Sequence, residues 1–453
     1  MKTKHYDVFV IGSGIAGQTA AKACAEKGLS VAIADVREFG GTCAIRGCDP
    51  KKVLIQFADL MQHAKQLEAS GIKKLPKIKW KTVQKFKSSF TKAVPKNTEK
   101  NLSGLGIDLY HQSPKFISET EIMVEGKKVS AETFVIATGY VPRELQFDGA
   151  NLLGSSDDIL NLKKIPKSAT FIGSGYVGME FCYMLSAMGC KVTVLEVSDS
   201  ALSQFDPFLV NKVVDRLKKG GVEFVFNAET ISVEKGKKNL KIKYKHNGKV
   251  QKIKSRVAFN TSGRVPATAL LDLEKANIKA DGSGVLVNDF LQSVSHDNAY
   301  ACGDVSSKSL PLTPLSGLQG YIVGYNIING NKKKFEDPLV PSVVFTHPNL
   351  ASVGYSEEEA KARYKNVKVY HGDATDWYNA KKENAEAYAY KIVTNERTGE
   401  IVGAHLLSSR ANETINVLAT AINNGMTVDA FKKMIFTYPS YSSDLKSMMK
   451  DAD

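Results

Sequence analysis

The sequence is poor in cysteine and tryptophan, with six and two among 453 residues, and it lacks any apolar run near the ~18 residues that a membrane-spanning helix requires. Six cysteines in so long a chain do not make the disulfide framework of a small secreted domain. No hydrophobic signal core precedes the first apolar stretch, because Met-Lys-Thr-Lys-His-Tyr leads straight into residues 8–11. These absences predict a cytoplasmic chain with no membrane partner. Core material is not lacking. Hydrophobic residues make up 43% and charged residues 24%, which excludes global disorder. At roughly 150 residues per domain, the length allows about three domains.

Acids are the scarcer charge, 47 Asp and Glu against 61 Lys and Arg, for a net +14. Segment 73–100 carries ten lysines and one acid, Glu99. Its Val83, Phe86, Phe90 and Val94 fall at steps of three and four, which predicts one helical stripe with a solvated lysine face opposite. A nucleic-acid or anionic-surface patch is the alternative reading, but no arginine-rich or aromatic base-reading pattern accompanies the lysines, so no nucleic-acid partner is expected of the protein.

What the chain does contain is a duplication. Val10-Ile-Gly12-Ser-Gly14-Ile-Ala-Gly17 returns as Phe171-Ile-Gly173-Ser-Gly175-Tyr176-Val-Gly178. Each copy follows an apolar run and opens a helical pattern, residues 18–27 and 179–188. Each is followed by a second apolar strand, residues 30–34 and 191–195. Asp35 and Glu196 stand 23 residues after Gly12 and Gly173. A strand, a glycine turn, a helix and a strand ending in an acid form a dinucleotide-binding unit. The glycines admit a pyrophosphate, the helix N-terminus attracts its charge, and the acid bonds a ribose hydroxyl. Two units predict two nucleotide-binding domains. Residues 240–244 alternate as a strand before the hairpin signal Asn247-Gly248. Beyond residue 337, strands such as 342–345 and 401–406 predict a third domain without a glycine fingerprint.

The most specific motif is Gly40-Gly41-Thr42-Cys43-Ala-Ile-Arg-Gly-Cys48-Asp-Pro50-Lys-Lys52. No second Cys or His pair lies close enough to complete a zinc site. Pro50 marks a helix start, so Cys48 sits at a helix N-terminus, where the partial positive charge favours a thiolate. Lys52 adds a cation one turn later. A low-pKa thiol with a nearby partner thiol is a redox pair.

With these motifs the chain resembles, over essentially its whole length, the flavoprotein disulfide reductases, which include glutathione reductase, dihydrolipoamide dehydrogenase and mercuric reductase. Ala137-Thr138-Gly139, Gly263-Arg264-Val265-Pro266, Tyr300-Ala-Cys302-Gly303-Asp304 and Phe345-Thr-His347-Pro348 through residues 352–354 all resemble family segments. The resemblance implies an α/β fold of two Rossmann-like domains plus a C-terminal α+β dimerisation domain. FAD would be bound by residues 1–147 and 271–336, NAD(P) by 148–270, and the partner chain by 337–453. Gly12, Gly14, Gly17 and Asp35 would hold the ADP half of FAD. Gly41, Thr42, Thr138, Gly139, Gly263, Arg264, Gly303, Asp304 and Thr313 would line the rest of the cofactor sites. Gly173, Gly175, Gly178 and Glu196 would hold the nicotinamide nucleotide, with Tyr176 as an aromatic gate. Cys48 would be the charge-transfer thiol and Cys43 the interchange thiol, while Lys52 would pair with Glu180. Cys24, Cys182, Cys190 and Cys302 are expected to be small buried hydrophobes. Glu196, and the absence of arginine from residues 197–204, predict NADH rather than NADPH.

The C-terminal segment departs from the family. Where its usual partner-subunit base is His in a His-Pro-Thr-x-Ser-Glu stretch, this chain has Tyr438-Pro-Ser440-Tyr-Ser-Ser443-Asp444. An ordinary tyrosine, titrating near pH 10, does not shuttle protons at neutrality, and only His347 and His405 remain as candidates in space. Mercuric reductases carry a tyrosine here, followed by Leu-Lys like Leu445-Lys446, but no cysteine follows Cys302 in this sequence. Ile15 and Lys22-Ala23 stand where glutathione reductases have serine and two arginines. The expected activity is transfer of electrons from NAD(P)H through FAD and the Cys43–Cys48 disulfide to a small acceptor, in a homodimer. A mercuric-reductase-like metal reductase and a redox sensor without turnover are the alternatives.

Overall fold

In the computed structural model, which describes residues 3–336 and 338–450, the first apolar run is the strand Lys4–Ile11, at the heart of a largely parallel sheet. Its neighbours are Val31–Ala34 on one side and Lys127–Ile136 on the other, with Asp108–Tyr110 beyond Val31–Ala34. Ala299–Ala301 pairs in parallel with the end of Lys127–Ile136, and an antiparallel meander of Glu121–Val124 and Lys115–Phe116 completes the sheet. Ile11 lies in register with Ala34 and Ile136, so these strands end level. The carboxyl ends of parallel strands are where such sheets bind ligands. Val8 to Ile11 are buried without alternation, as expected of a strand covered on both faces. Helix Ile15–Ala25 packs on helix Thr313–Asn329, where a Cβ at Gly320 would meet the Ala16 carbonyl oxygen at 2.3 Å. These elements belong to a unit made of residues 1–51, 85–143 and 263–338.

The second unit comprises residues 52–84, 144–262 and 339–453. Its parallel sheet runs Glu223–Val225, Lys191–Leu195, Ser168–Ile172 and Val257–Asn260. Helix Tyr176–Ala187 is buried on nearly every side, from Gly178 to Leu185, which explains its almost unbroken apolar sequence. An antiparallel sheet of Ala228–Lys235, Leu240–His246 and Lys249–Ser255 follows. Asn247 and Gly248 make its tight turn, with φ of 49° and 74°, the left-handed pair that a two-residue hairpin requires. Residues from 339 onward form a five-stranded antiparallel sheet, in the order Ser342–Val344, Asn349–Gly354, Ile401–Ser408, Ala389–Asn395, Val367–Asp373, covered by helix Ala411–Asn423. The fold is therefore α/β, with two dinucleotide-type sheets and an α+β C-terminal part.

The lysine-rich segment differs from its expected pattern. It forms two helices, Trp80–Thr91 and Val94–Ser103, rather than one. Phe86 and Phe90 are 46% and 50% exposed, and their rings meet edge to face at 5.1 Å. The buried line is instead Trp80, Val83 and Lys87, also at steps of three and four. The Trp80 indole fixes this rotation by donating to the Leu162 carbonyl at 2.7 Å. The Lys87 stem contributes apolar surface to that line, and burial lowers its pKa.

Candidate active site

The two glycine turns match almost atom for atom. Ser13 donates from its backbone N and its Oγ to Asp35 Oδ2, at 2.8 and 2.6 Å; Ser174 does the same to Glu196 Oε2, at 2.7 and 2.6 Å. The other carboxylate oxygen accepts from the Arg37 or Ser198 amide, at 2.9 and 3.0 Å. A Cβ on Gly17 would meet the Gly12 carbonyl oxygen at 1.9 Å, and one on Gly178 the Gly173 carbonyl oxygen at 2.5 Å. Helix and strand therefore approach more closely than any side chain permits. Gly14 and Gly175 face open space, as a cradle for a pyrophosphate requires.

The thiol pair is built onto the first of these turns. Gly41 has φ +76°, and a Cβ there would meet Gly14 Cα at 2.5 Å. Two glycines thus seat the short helix Gly41–Arg46, which carries Cys43, directly against the turn. Gly40 N donates to Ser13 Oγ at 3.1 Å, and Arg46 pairs with Glu38 at 2.7 Å. Cys48 is the first residue of helix Cys48–Gln66. The two cysteines are not bridged in this structure, Cys48 exposed and Cys43 half-buried. The Cys43 thiol hydrogen-bonds to Cys48, and that bond, reinforced by burial, pushes its pKa well up. Thr313 Oγ1 lies 3.8 Å from Cys48 Sγ. Cys24, Cys182, Cys190 and Cys302 are all buried.

Around the same sheet, Arg264 Nη1 lies 3.8 Å from Asp304 Oδ2, and its Nη2 donates to the Tyr140 carbonyl. Burial raises the Asp304 pKa against the opposing pull of Arg264. Gly303 N is fixed by Gln319 Oε1 at 2.9 Å. Among the described residues, buried Thr138 Oγ1 has no hydrogen-bond partner. An orphaned hydroxyl, a partly buried carboxylate and an open glycine cradle at the ends of one parallel sheet fit a bound dinucleotide.

In the second unit, the buried carboxylate of Glu180, 1% exposed, accepts from Lys52 Nζ at 2.8 Å and from the Phe345 amide at 3.0 Å. Lys52 Nζ also lies 3.8 Å from the Phe345 ring centroid, a cation–π contact. Tyr176 opens its helix and is 36% exposed. Tyr438 is 75% exposed, with its ring 6.4 Å from that of Tyr378. Ser443 does not orient a base. It is the N3 residue of a capping box with Ser440 on the short helix Tyr441–Asp444. His405 is held inside the C-terminal sheet, Nδ1 2.7 Å from Ser352 Oγ and Nε2 3.2 Å from the Tyr355 carbonyl. His347 is buried against Gln66, and burial pushes its pKa down to about 4. Burial lowers the pKa of both histidines.

One buried pair was not foreseen from the sequence. Tyr183, one turn after Glu180, donates to Asp59 Oδ1 at 2.6 Å, a second cross-link between the helices of the Lys52–Glu180 pair. Desolvation pushes the Asp59 pKa up to about 6, although the Tyr183 hydrogen bond, Arg410 and Lys52 pull it down. The folded state thus prefers the protonated carboxyl. Its contribution is fully present below pH ~4 and is lost as the pH rises through about 6. Asp59→Asn, neutral throughout, is expected to be more stable than the parent above pH 7 by ~2–3 kcal/mol, and equal to it near pH 4. Thermal melts of the two proteins that stay parallel from pH 4 to 8 would refute this.

Residues 6–320 match the family model described as pyridine nucleotide-disulphide oxidoreductase, and residues 340–449 match the model of that family's dimerisation domain. A glutathione reductase of Burkholderia cepacia is 30% identical over 449 residues, covering 99% of each chain. A mercuric reductase of Lysinibacillus sphaericus is 30% identical over 449 residues, covering 98% of this chain and 82% of the relative. Among solved structures, the Cu(II) complex of the HOCl-induced flavoprotein disulfide reductase RclA from Escherichia coli superposes with a TM-score of 0.87 at 27% identity, over 99% of both chains. Among the described residues no helix is long and apolar enough to cross a membrane. Two glycine turns, a thiol pair seated on the first of them and matches running from residue 6 to residue 449 make this chain a member of the pyridine nucleotide-disulphide oxidoreductase family, an FAD-dependent flavoprotein disulfide reductase that takes electrons from NAD(P)H and carries the family's homodimerisation domain.

Proposed function

We propose that the chain is an NADH-driven reductase of a small disulfide, with Cys43 as the thiol that meets the acceptor. The observation that carries this reading is the placement of the two unbridged cysteines, Cys43 on the short helix seated against the Gly14 turn and Cys48 at the N-terminus of helix Cys48–Gln66. FAD, when bound, supplies two-electron exchange between the nicotinamide and the thiol pair. Gly12, Gly14, Gly17 and Asp35 would hold its ADP portion, with Gly41, Thr42, Thr138, Gly139, Gly263, Arg264, Gly303, Asp304 and Thr313 lining the rest of the cofactor sites. Gly173, Gly175, Gly178 and Glu196 bind the nicotinamide nucleotide beneath Tyr176. Lys52, held by Glu180, would by the family resemblance be the cation toward the flavin. Cys48, at the helix N-terminus, would be the thiol toward the flavin, and Cys43 would form the mixed disulfide with the acceptor. In the homodimer, residues 434–446 complete the site of the other subunit.

Glu196 is braced by three hydrogen bonds from its own turn, so it stands ready for ribose hydroxyls and repels a 2′-phosphate. The expected result is a kcat/KM for NADH at least about tenfold above that for NADPH, a difference of ~1.4 kcal/mol. Steady-state kinetics with the two nucleotides decide it, and a preference for NADPH would overturn the assignment.

A second reading, reduction of a soft metal ion at the same thiols, is favoured by Tyr438. Thiolates ligate such ions well, and their reduction needs no imidazole base at that place. One relative is a mercuric reductase, and the superposed RclA structure is a Cu(II) complex. The two readings separate in an acceptor screen at fixed NADH over small disulfides, Hg(II), Cu(II), quinones and oxygen. Turnover with a disulfide supports the first, turnover with metal ions alone the second, and none at all a redox sensor. In stopped-flow, Tyr438→Phe is expected to slow the acceptor half-reaction several-fold and to spare reduction by NADH. Wild-type rates in both half-reactions would make Tyr438 a packing residue.

A further inference from the structure

The sheet Ala228–Lys235, Leu240–His246, Lys249–Ser255 has one apolar face and one charged face. Ile242, Tyr244 and Val233 are buried, with Leu240 and Ile253 packed against them. On the outer face the register sets Lys241 opposite Lys254 and Lys243 opposite Lys252. Glu234 lies opposite Lys241 and pairs with Lys243, and Glu229 lies opposite Lys245. Segment 235–256 contains ten Lys and Arg residues and no acid. Outside this segment and segment 73–100, acids outnumber bases by five, so the net positive charge of the chain is concentrated in these two places.

Like charges directly opposite across strands are destabilising, and two such pairs stand side by side. Blunting of an exposed edge explains lysines on the edge strand Lys249–Ser255. It does not explain Lys241, Lys243 and Lys245 on the central strand. Alternate residues of a strand repeat every ~6.8 Å, so the backbone sets these lysines in short, evenly spaced rows. We propose that this face binds the phosphate backbone of duplex nucleic acid, independently of sequence. None of the outward residues of the three described strands is aromatic, so the face offers no platform for unpaired bases. Its charges are lysines, which act on phosphates as point charges, without the arginine fork that reads guanine. The exposed apolar residues of the sheet, Ile231 and Val250, are too small to anchor in a bilayer. The solvated-face reading of segment 73–100 does not extend to this sheet, where the lysines are held in register.

The test is fluorescence anisotropy of a labelled 30-base-pair duplex with the FAD-loaded protein between 50 and 200 mM salt. Replacing Lys241, Lys243, Lys252 and Lys254 together by Gln is expected to weaken binding at least tenfold at low salt. It should also flatten the log–log salt slope by about 3 to 4, since each phosphate contact contributes ~0.9. Lys252→Gln with Lys254→Gln alone should give about half that change. Replacing Lys73, Lys74, Lys77 and Lys79 by Gln should change binding less than twofold. The sheet variants should melt within a few degrees of the parent, since two like-charge pairs are removed along with the exposed Lys243–Glu234 ion pair, and should be reduced by NADH at the same rate. Equal effects from the two lysine sets, an unchanged slope, or binding to phosphatidylserine vesicles without binding to the duplex would overturn the proposal.

Discussion

Cys43→Ser is expected to abolish turnover with any disulfide acceptor, by on the order of 10³-fold or more, while leaving a long-wavelength absorbance band of a thiolate against oxidised flavin. Cys48→Ser should lose both. The reason lies in how the two sulfurs are placed. Cys48 is the first residue of a nineteen-residue helix, whose N-terminal dipole stabilises a thiolate. Cys43 lies inside a six-residue helix, half-buried, and its pKa is pushed up by the hydrogen bond it gives to Cys48. Serine at 43 can still donate that bond, so the Cys48 thiolate survives, but it cannot form a mixed disulfide. Serine at 48 removes the charged partner, and the protonated Cys43 does not replace it. A pH titration of the two variants between 5 and 9 decides the matter. Identical spectra, or a band in Cys48→Ser only, would reverse the assigned roles.

The features legible in the sequence were those fixed within a few residues. Each glycine turn with its distant acid is one strand–helix–strand unit, whose geometry leaves little choice once Gly12, Gly17 and Asp35 are spaced as they are. Cys48 at a helix start followed from Pro50 two residues later. The Asn247-Gly248 turn followed from its two left-handed positions. Features that depend on which elements pack together were not legible. Val83, Phe86 and Phe90 have helical spacing, yet the buried line is Trp80, Val83 and Lys87, because the Trp80 indole binds a carbonyl 82 residues away. Asp59 and Tyr183 are 124 residues apart, and nothing local marks either as one of a buried pair. The Lys52–Glu180 pair, 128 residues apart, was anticipated only through the family resemblance.

That pair yields the largest expected effect on stability. Glu180 is 1% exposed, whereas the Lys52 side chain is 30% exposed, so the two halves are not equivalent. Lys52→Met would remove the cation from a buried carboxylate, and breaking a buried pair in this way costs about 3–5 kcal/mol. Glu180→Gln keeps an acceptor for that amide, and Lys52 can turn toward solvent, so its cost should be nearer 1–2 kcal/mol. The double variant Lys52→Met with Glu180→Leu should recover much of the loss, since no charge is left buried. The damage in Lys52→Met should also depend on pH. A desolvated carboxylate without its cation has a raised pKa, so that variant should be most stable in acid and lose stability as the pH rises. Denaturant melts of the three variants at pH 5 and pH 8 test the whole scheme. Equal costs for the two single variants, or a double variant no better than Lys52→Met, would mean that the contact seen in the fold does not carry the energy assigned to it.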